Sequence, residues 1–134
     1  MIEFAFHETK KPLFFNTIEP WINSSINQLF KKIKLVSFIF CTDDYLLGLN
    51  KTQLNHDYYT DIITFDLRDT FDDDLDCEIY ISLDRVGENA ETFNCTFAHE
   101  LKRVMIHGLL HLTGLNDSTE EERSNMRNAE NSFL

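Results

Sequence analysis

His107-Gly108-Leu109-Leu110-His111-Leu112-Thr113-Gly114-Leu115-Asn116-Asp117 is the stretch on which the reading of this chain turns. Residues four apart in an α-helix stand one above the other, with Cβ atoms about 5–6 Å apart. His107 and His111 therefore share one helix face, and two imidazole nitrogens so placed can bind one zinc at about 2.0–2.1 Å. Gly114 permits the left-handed turn that ends a helix. The chain then doubles back, which places Asp117 to face the same metal. Three protein ligands leave a fourth position open, as in catalytic rather than structural zinc sites. Two histidines four apart, taken alone, fit equally a core histidine beside a surface one; the glycine and the carboxylate add to the metal reading.

Working outward, Phe97 to Thr113 reads as one long helix. Leu101, Val104, Met105, Ile106, Leu109, Leu110 and Leu112 make it apolar almost all round. Such a helix is buried, and paired histidines on it need polar partners. Arg103 lies one turn before His107 on the same ridge. Its guanidinium suits a phosphate held bidentately or the charge of a transition state; the other reading is a surface arginine paired to a carboxylate. His99 lies a further turn away, and His7 and His56 have no partner in sequence, so none of the three is read as a ligand. Gly108 occupies the place where zinc peptidases of the His-Glu-x-x-His type carry their general base, which argues against that mechanism.

The remaining segments surround this helix. Ile2–Phe6 alternates as a half-buried strand does. Asn16 or Thr17 is positioned to cap a helix carrying Ile18, Trp21, Ile22, Ile26, Leu29 and Phe30. Leu35–Cys41 reads as a strand, followed by a short helix from Thr42 or Asp43 to about Leu49. Asn55–Tyr59 reads as a loop whose aromatics either stack on nucleic-acid bases or pack within the loop. Ile62–Leu67 and Cys77–Ile81 read as strands, and Ser82 caps a helix to about Phe93. Ser118 with Glu121 forms a capping box for the last helix. The order β-α-β-α-β-β-α-α-α indicates an α/β or α+β sandwich: one domain, residues 1–134, with a four-stranded mixed sheet, about five helices, and the metal site on a buried helix.

Composition narrows the class. The chain has 134 residues, a length that predicts one domain. Four Gly and two Pro exclude collagen-like and low-complexity chains, and 12 Phe argue against disorder. No apolar run approaches the roughly 20 residues of a membrane span, and Met1–Phe4 lacks the pattern of a signal peptide; a cytoplasmic, membrane-free protein is expected. Cys41, Cys77 and Cys95 are far apart and fit buried thiols, not a disulfide framework. The net charge of −11 argues against a nucleic-acid partner. Five of those charges lie in Asp69–Asp76, however, and lysines cluster at Lys10-Lys11 and Lys31, Lys32 and Lys34, so a locally positive groove stays open.

The segment His-Gly-Leu-Leu-His-Leu-x-Gly resembles the signature of the YbeY family, zinc-dependent single-strand endoribonucleases of bacterial ribosomal RNA maturation. The resemblance covers nearly the whole chain. It takes in Leu49-Asn50, Thr60-Asp61-Ile62-Ile63-Thr64-Phe65, Glu78–Ser82, Glu88-Asn89-Ala90, Glu100-Leu101, Met126 and Glu130. It implies a cytoplasmic metal-dependent hydrolase that cuts single-stranded RNA in 16S rRNA 3′-end maturation and ribosome quality control. Its partners would be a 16S rRNA precursor and the small ribosomal subunit, and one Zn²⁺ per chain would be held by His107, His111 and Asp117. Two positions depart from the family: Asp117 stands where a third histidine is usual, and Leu54 where an arginine is usual. Two other readings stay open. One is a non-catalytic ribosome-assembly factor with a structural or absent metal. The other, weakened by the helical placement of the histidines, is an iron enzyme of the two-histidine, one-carboxylate kind.

Overall fold

A computed structural model describes residues 1–134. In chain order the elements are β1 (Ile2–Phe6), α1 (Phe15–Leu29), β2 (Ile33–Cys41), α2 (Asp43–Leu54), β3 (Ile62–Asp66), β4 (Leu75–Ser82), α3 (Leu83–Thr92), α4 (Phe97–Leu112) and α5 (Glu120–Phe133). The sheet runs β1-β2-β4-β3; β1, β2 and β4 are parallel, and β3 is antiparallel to β4. This is an α+β fold with the four-stranded mixed sheet and five helices that the sequence indicates.

Strand alternation sets the two faces. Val36, Phe38 and Phe40 of β2, with Cys77, Ile79 and Ile81 of β4, are fully buried in one core with α1 and α4. On the opposite face Cys41 and Ile63 pack with Leu46 of α2. α4 is the central helix. Thr96 caps it, its Oγ1 accepting from the His99 N–H. Nine of its residues are buried, Leu101, Val104, Met105, Ile106 and Leu109 among them. Each such aliphatic side chain contributes about 1.5–3 kcal/mol on burial. α5 packs on α4 and delivers Met126 to the core.

Several boundaries differ from the sequence expectation. α1 starts at Phe15, so Asn16 and Thr17 lie inside it, and its first residue has no side-chain cap. Phe15 is fully buried, and its packing outweighs the capping preference. The capping box of α5 is Thr119 with Glu122, one residue later than Ser118 with Glu121. α2 runs on to Leu54, ended by Asn55 in the left-handed region at φ 56. β2 and β4 each begin two residues earlier than predicted, at Ile33 and Leu75. Cys41 and Cys77 are buried free thiols, pushed up to about 12 by burial and then by neighbouring carboxylates. Cys95 is also free but only half-buried. No helix is long and apolar enough to cross a membrane.

Candidate metal centre

The end of α4 builds most of the site. The Gly114 N–H donates to the His111 carbonyl at 3.0 Å, and the Leu115 N–H reaches back to Leu110 at 3.3 Å. This crossed pair of bonds is the Schellman stop, which needs a left-handed residue after the cap. Gly114 supplies it at φ 104. The same turn carries the Leu115 carbonyl to 2.9 Å from His111 Nδ1. A carbonyl only accepts, so Nδ1 is the donor, and Nε2 is the nitrogen His111 offers to a metal. The motif that ends the helix thus also orients its last histidine.

His107 is fixed from the other side. Its Nδ1 lies 2.7 Å from Glu130 Oε2, on α5. Burial raises the Glu130 carboxyl, but the hydrogen bond and charge of His107, with Arg103 beside it, outweigh burial and leave it below the ordinary carboxylate value. Glu130 therefore accepts from Nδ1, and Nε2 is the nitrogen that His107 turns toward the cluster.

The two Nε2 atoms face each other at 3.0 Å. Asp117 Oδ2 lies 3.4 Å from that of His107 and 3.3 Å from that of His111. The three atoms can serve together as ligands to one cation, each Nδ1 being turned to an acceptor of its own. Ligand atoms around a tetrahedral zinc stand roughly 3.3 Å apart at zinc–nitrogen bond lengths, so the spacing fits a single ion. All three side chains of the sequence-predicted set are brought together.

They open onto a cleft of about 540 Å³ along the free edge of β3, lined also by Thr60, Asp61, Thr64 and Asp66. Burial holds the Asp61 carboxyl above its ordinary value, and the charges of Arg103 and His107 pull it back only in part. Lys31 and Lys32 lie in a different cleft, shared with Asp72, Asp73 and Asp74. They therefore do not make the positive groove that the sequence left open. His99, His7 and His56 are exposed and outside the cluster.

Arg103 lies on the same helix, with every guanidinium nitrogen on a carboxylate. Nε and Nη2 hold Glu100, and Nη1 reaches Glu130 at 3.3 Å. Of the two readings open for it, the structure shows the carboxylate-paired arrangement. Two supporting residues were not singled out from sequence. The role of Glu130 depends on α5 docking beside α4, which no local pattern encodes. Arg68, with a side chain only 4% exposed, binds Asp66 of β3 through Nε and Nη2 and donates to the Leu112 carbonyl at 2.8 Å. It thereby ties the end of α4 to the strand that forms the cleft's other wall. The arginine–aspartate pair two residues apart was the only signal available for it.

The family model for endoribonuclease YbeY matches residues 3–134. Endoribonuclease YbeY of Christiangramia forsetii is 51% identical over 82% of this chain and 76% of its own length. That of Cytophaga hutchinsonii is 44% identical over 87% and 81%. The solution structure of TM1509 from Thermotoga maritima superposes with a TM-score of 0.68 at 28% identity, covering 99% of this chain and 89% of that one. An α+β scaffold that brings two histidines of a buried helix together with an aspartate of the following turn defines the class. This chain belongs to the YbeY endoribonuclease family.

Proposed function

We propose that residues 1–134 act as one metal-dependent hydrolase domain that cleaves single-stranded RNA, with His107, His111 and Asp117 holding one zinc ion. The observation that carries the proposal is the convergence of the two Nε2 atoms and one carboxylate oxygen within 3.4 Å of one another. Membership of a family whose relatives are named endoribonucleases supports RNA as substrate. By the same resemblance we place the activity in the cytoplasm, on the 3′ end of a 16S rRNA precursor at the small ribosomal subunit.

Such an ion supplies Lewis acidity to a phosphoryl oxygen and lowers the pKa of a water toward about 7. The chain's own part is to hold the ligands rigidly and to shape the cleft. Asp61 contributes a carboxyl of raised proton affinity to that cleft, a group suited to proton transfer. Asp66 is paired with Arg68, so Asp61 and Asp117 are the cleft carboxyls without a guanidinium partner, and a bound cation would offset their repulsion of an anionic backbone.

The test is metal analysis of purified protein, then cleavage of single-stranded and duplex RNA with and without chelator. Stoichiometric zinc and chelator-sensitive cleavage of the single strand support the proposal. His107→Ala and His111→Ala should each abolish both metal binding and cleavage in a folded chain. Wild-type cleavage by either variant would end the assignment.

A further inference from the structure

The carboxylates of Glu100 and Glu130 are nearly sealed from water, with side chains 1% and 3% exposed, and Arg103 bridges them. Its Nε donates to Glu100 Oε1 at 2.8 Å, and its Nη1 to Glu130 Oε1 at 3.3 Å. The second Glu130 oxygen accepts from His107 Nδ1 at 2.7 Å. A continuous chain of hydrogen bonds thus runs Glu100–Arg103–Glu130–His107, from the first turn of α4 through α5 and back to the ligand. Each Glu130 oxygen has one partner, so the carboxylate has a single orientation. Arg103 and His107 lie one turn apart on α4, yet the link between them passes through α5.

From this we infer that Arg103 is a positioning residue. It acts through Glu130, holding that carboxylate where it fixes the tautomer and ring angle of His107. Its contribution is to metal affinity, not to contact with a substrate phosphate. The inference rests on the metal-site reading above. Three features carry it: Arg103 has no guanidinium nitrogen free of a carboxylate, both carboxylates are buried, and the chain ends on a ring whose other nitrogen faces the cluster. A carboxylate that accepts from a ligating imidazole raises its basicity, and losing such a partner weakens metal affinity about 10–100-fold. Without Arg103, Glu130 keeps its charge but loses the contact that aims it. Lysine is a poor substitute, because a point charge cannot span two carboxylates as a planar fork does.

The experiment is a competition titration of zinc into the full chain, with RNA affinity and thermal unfolding measured alongside. Wild type is compared with Glu130→Gln, Arg103→Met and the double variant. Each single change is expected to weaken zinc binding about 10–100-fold. The double variant should bind no more weakly than Glu130→Gln alone, because residues acting through one partner are not additive. The cobalt-substituted protein should show the same altered visible spectrum in all three variants. Should Arg103→Met fail to fold with two buried carboxylates uncompensated, Glu100→Gln combined with Arg103→Met replaces it, with the same expectation. Wild-type zinc affinity in the Arg103 variant together with weakened RNA binding would overturn the inference and put the guanidinium on the substrate. A double variant whose loss is the sum of the two singles would overturn it as well. A wild-type chain with no zinc affinity would instead bring down the metal-site reading, and this inference with it.

Discussion

Gly108 lies so close to Ile62 that a Cβ added to it would stand 2.8 Å from the Ile62 Cδ1 methyl and 3.1 Å from Thr64 Oγ1. The residue after the first histidine therefore faces the sheet, not the metal. Gly108→Ala sets better helix propensity, about 1 kcal/mol, against overpacking of about 1–3 kcal/mol. Ile62 is only half-buried and can move its terminal methyl, so the net change should stay within about 1 kcal/mol. Gly108→Glu, which restores the His-Glu-x-x-His spelling, should lose at least about 3 kcal/mol by driving a carboxylate against β3. It should gain no peptidase activity. Denaturant unfolding with a casein-digestion assay checks both; a stable, proteolytic Glu variant would mean that this face is misplaced.

Asp117 should control affinity and pH response separately from the histidines. Asp117→Ala is expected to weaken zinc binding strongly, as loss of one of three ligands does. Asp117→His should keep zinc and move the pH–rate profile to lower pH, because a neutral ligand leaves the ion more electron-poor and its water easier to ionise. Isothermal titration and rate measurement across pH decide the matter. Equal zinc affinity in wild type and Asp117→Ala would remove this carboxylate from the ligand set.

Two carboxyls of the site should bend the stability–pH curve in opposite directions. Asp61 is held above its ordinary 3.8, chiefly by burial, so the folded state binds its proton more tightly than the unfolded state does. Its contribution to stability is lost as pH rises through the window between 3.8 and the raised folded value. Asp61→Asn should therefore stabilise the metal-free chain at neutral pH, with the advantage vanishing below 3.8. Glu130 is held below its ordinary 4.5: burial acts to raise it, and the His107 hydrogen bond and the neighbouring charges prevail. Its contribution is present above 4.5 and lost as pH falls through the folded value, so Glu130→Gln should cost stability at neutral pH and less in acid. Chemical denaturation across pH tests both signs at once, and an Asp61→Asn gain that persists unchanged in strong acid would contradict this account.

Arg68 should matter to stability and site together. Arg68→Ala leaves the Leu112 carbonyl without its side-chain donor and Asp66 without its partner. The expected cost is about 2–4 kcal/mol, with a drop in zinc affinity because the anchor lies one residue past His111. A shift in unfolding midpoint with no change in metal affinity would confine Arg68 to the fold.

Much of this molecule was legible in its sequence, for identifiable reasons. α4 announced itself because its burial is written in seven aliphatic residues and its end in Gly114. The grouping of His107, His111 and Asp117 followed from one helical turn and one short loop, where spacing largely fixes geometry. The last helix was harder to place, since Ser118-x-x-Glu121 and Thr119-x-x-Glu122 satisfy the same capping rule. What settles the register is tertiary: Met126 and Glu130 must both face inward. α2 was read short because its residues have little amphipathic contrast and it covers only part of one sheet face. Glu100 and Glu130 entered only through the family resemblance, and nothing within either helix reveals that they share one arginine in the interior.

The three candidate ligands sit on parts of the chain that tolerate change very differently. His107 and His111 are rooted in a helix pressed between a sheet and three other helices, where almost any substitution disturbs the packing. Asp117 stands beyond the Gly114 turn with its side chain 40% exposed. An alteration there resets the charge and hardness of the ion's surroundings without displacing a core atom. The scaffold thereby separates the two kinds of change: the helix holds the geometry of the centre, and the exposed turn can alter its charge while the core stays as it is.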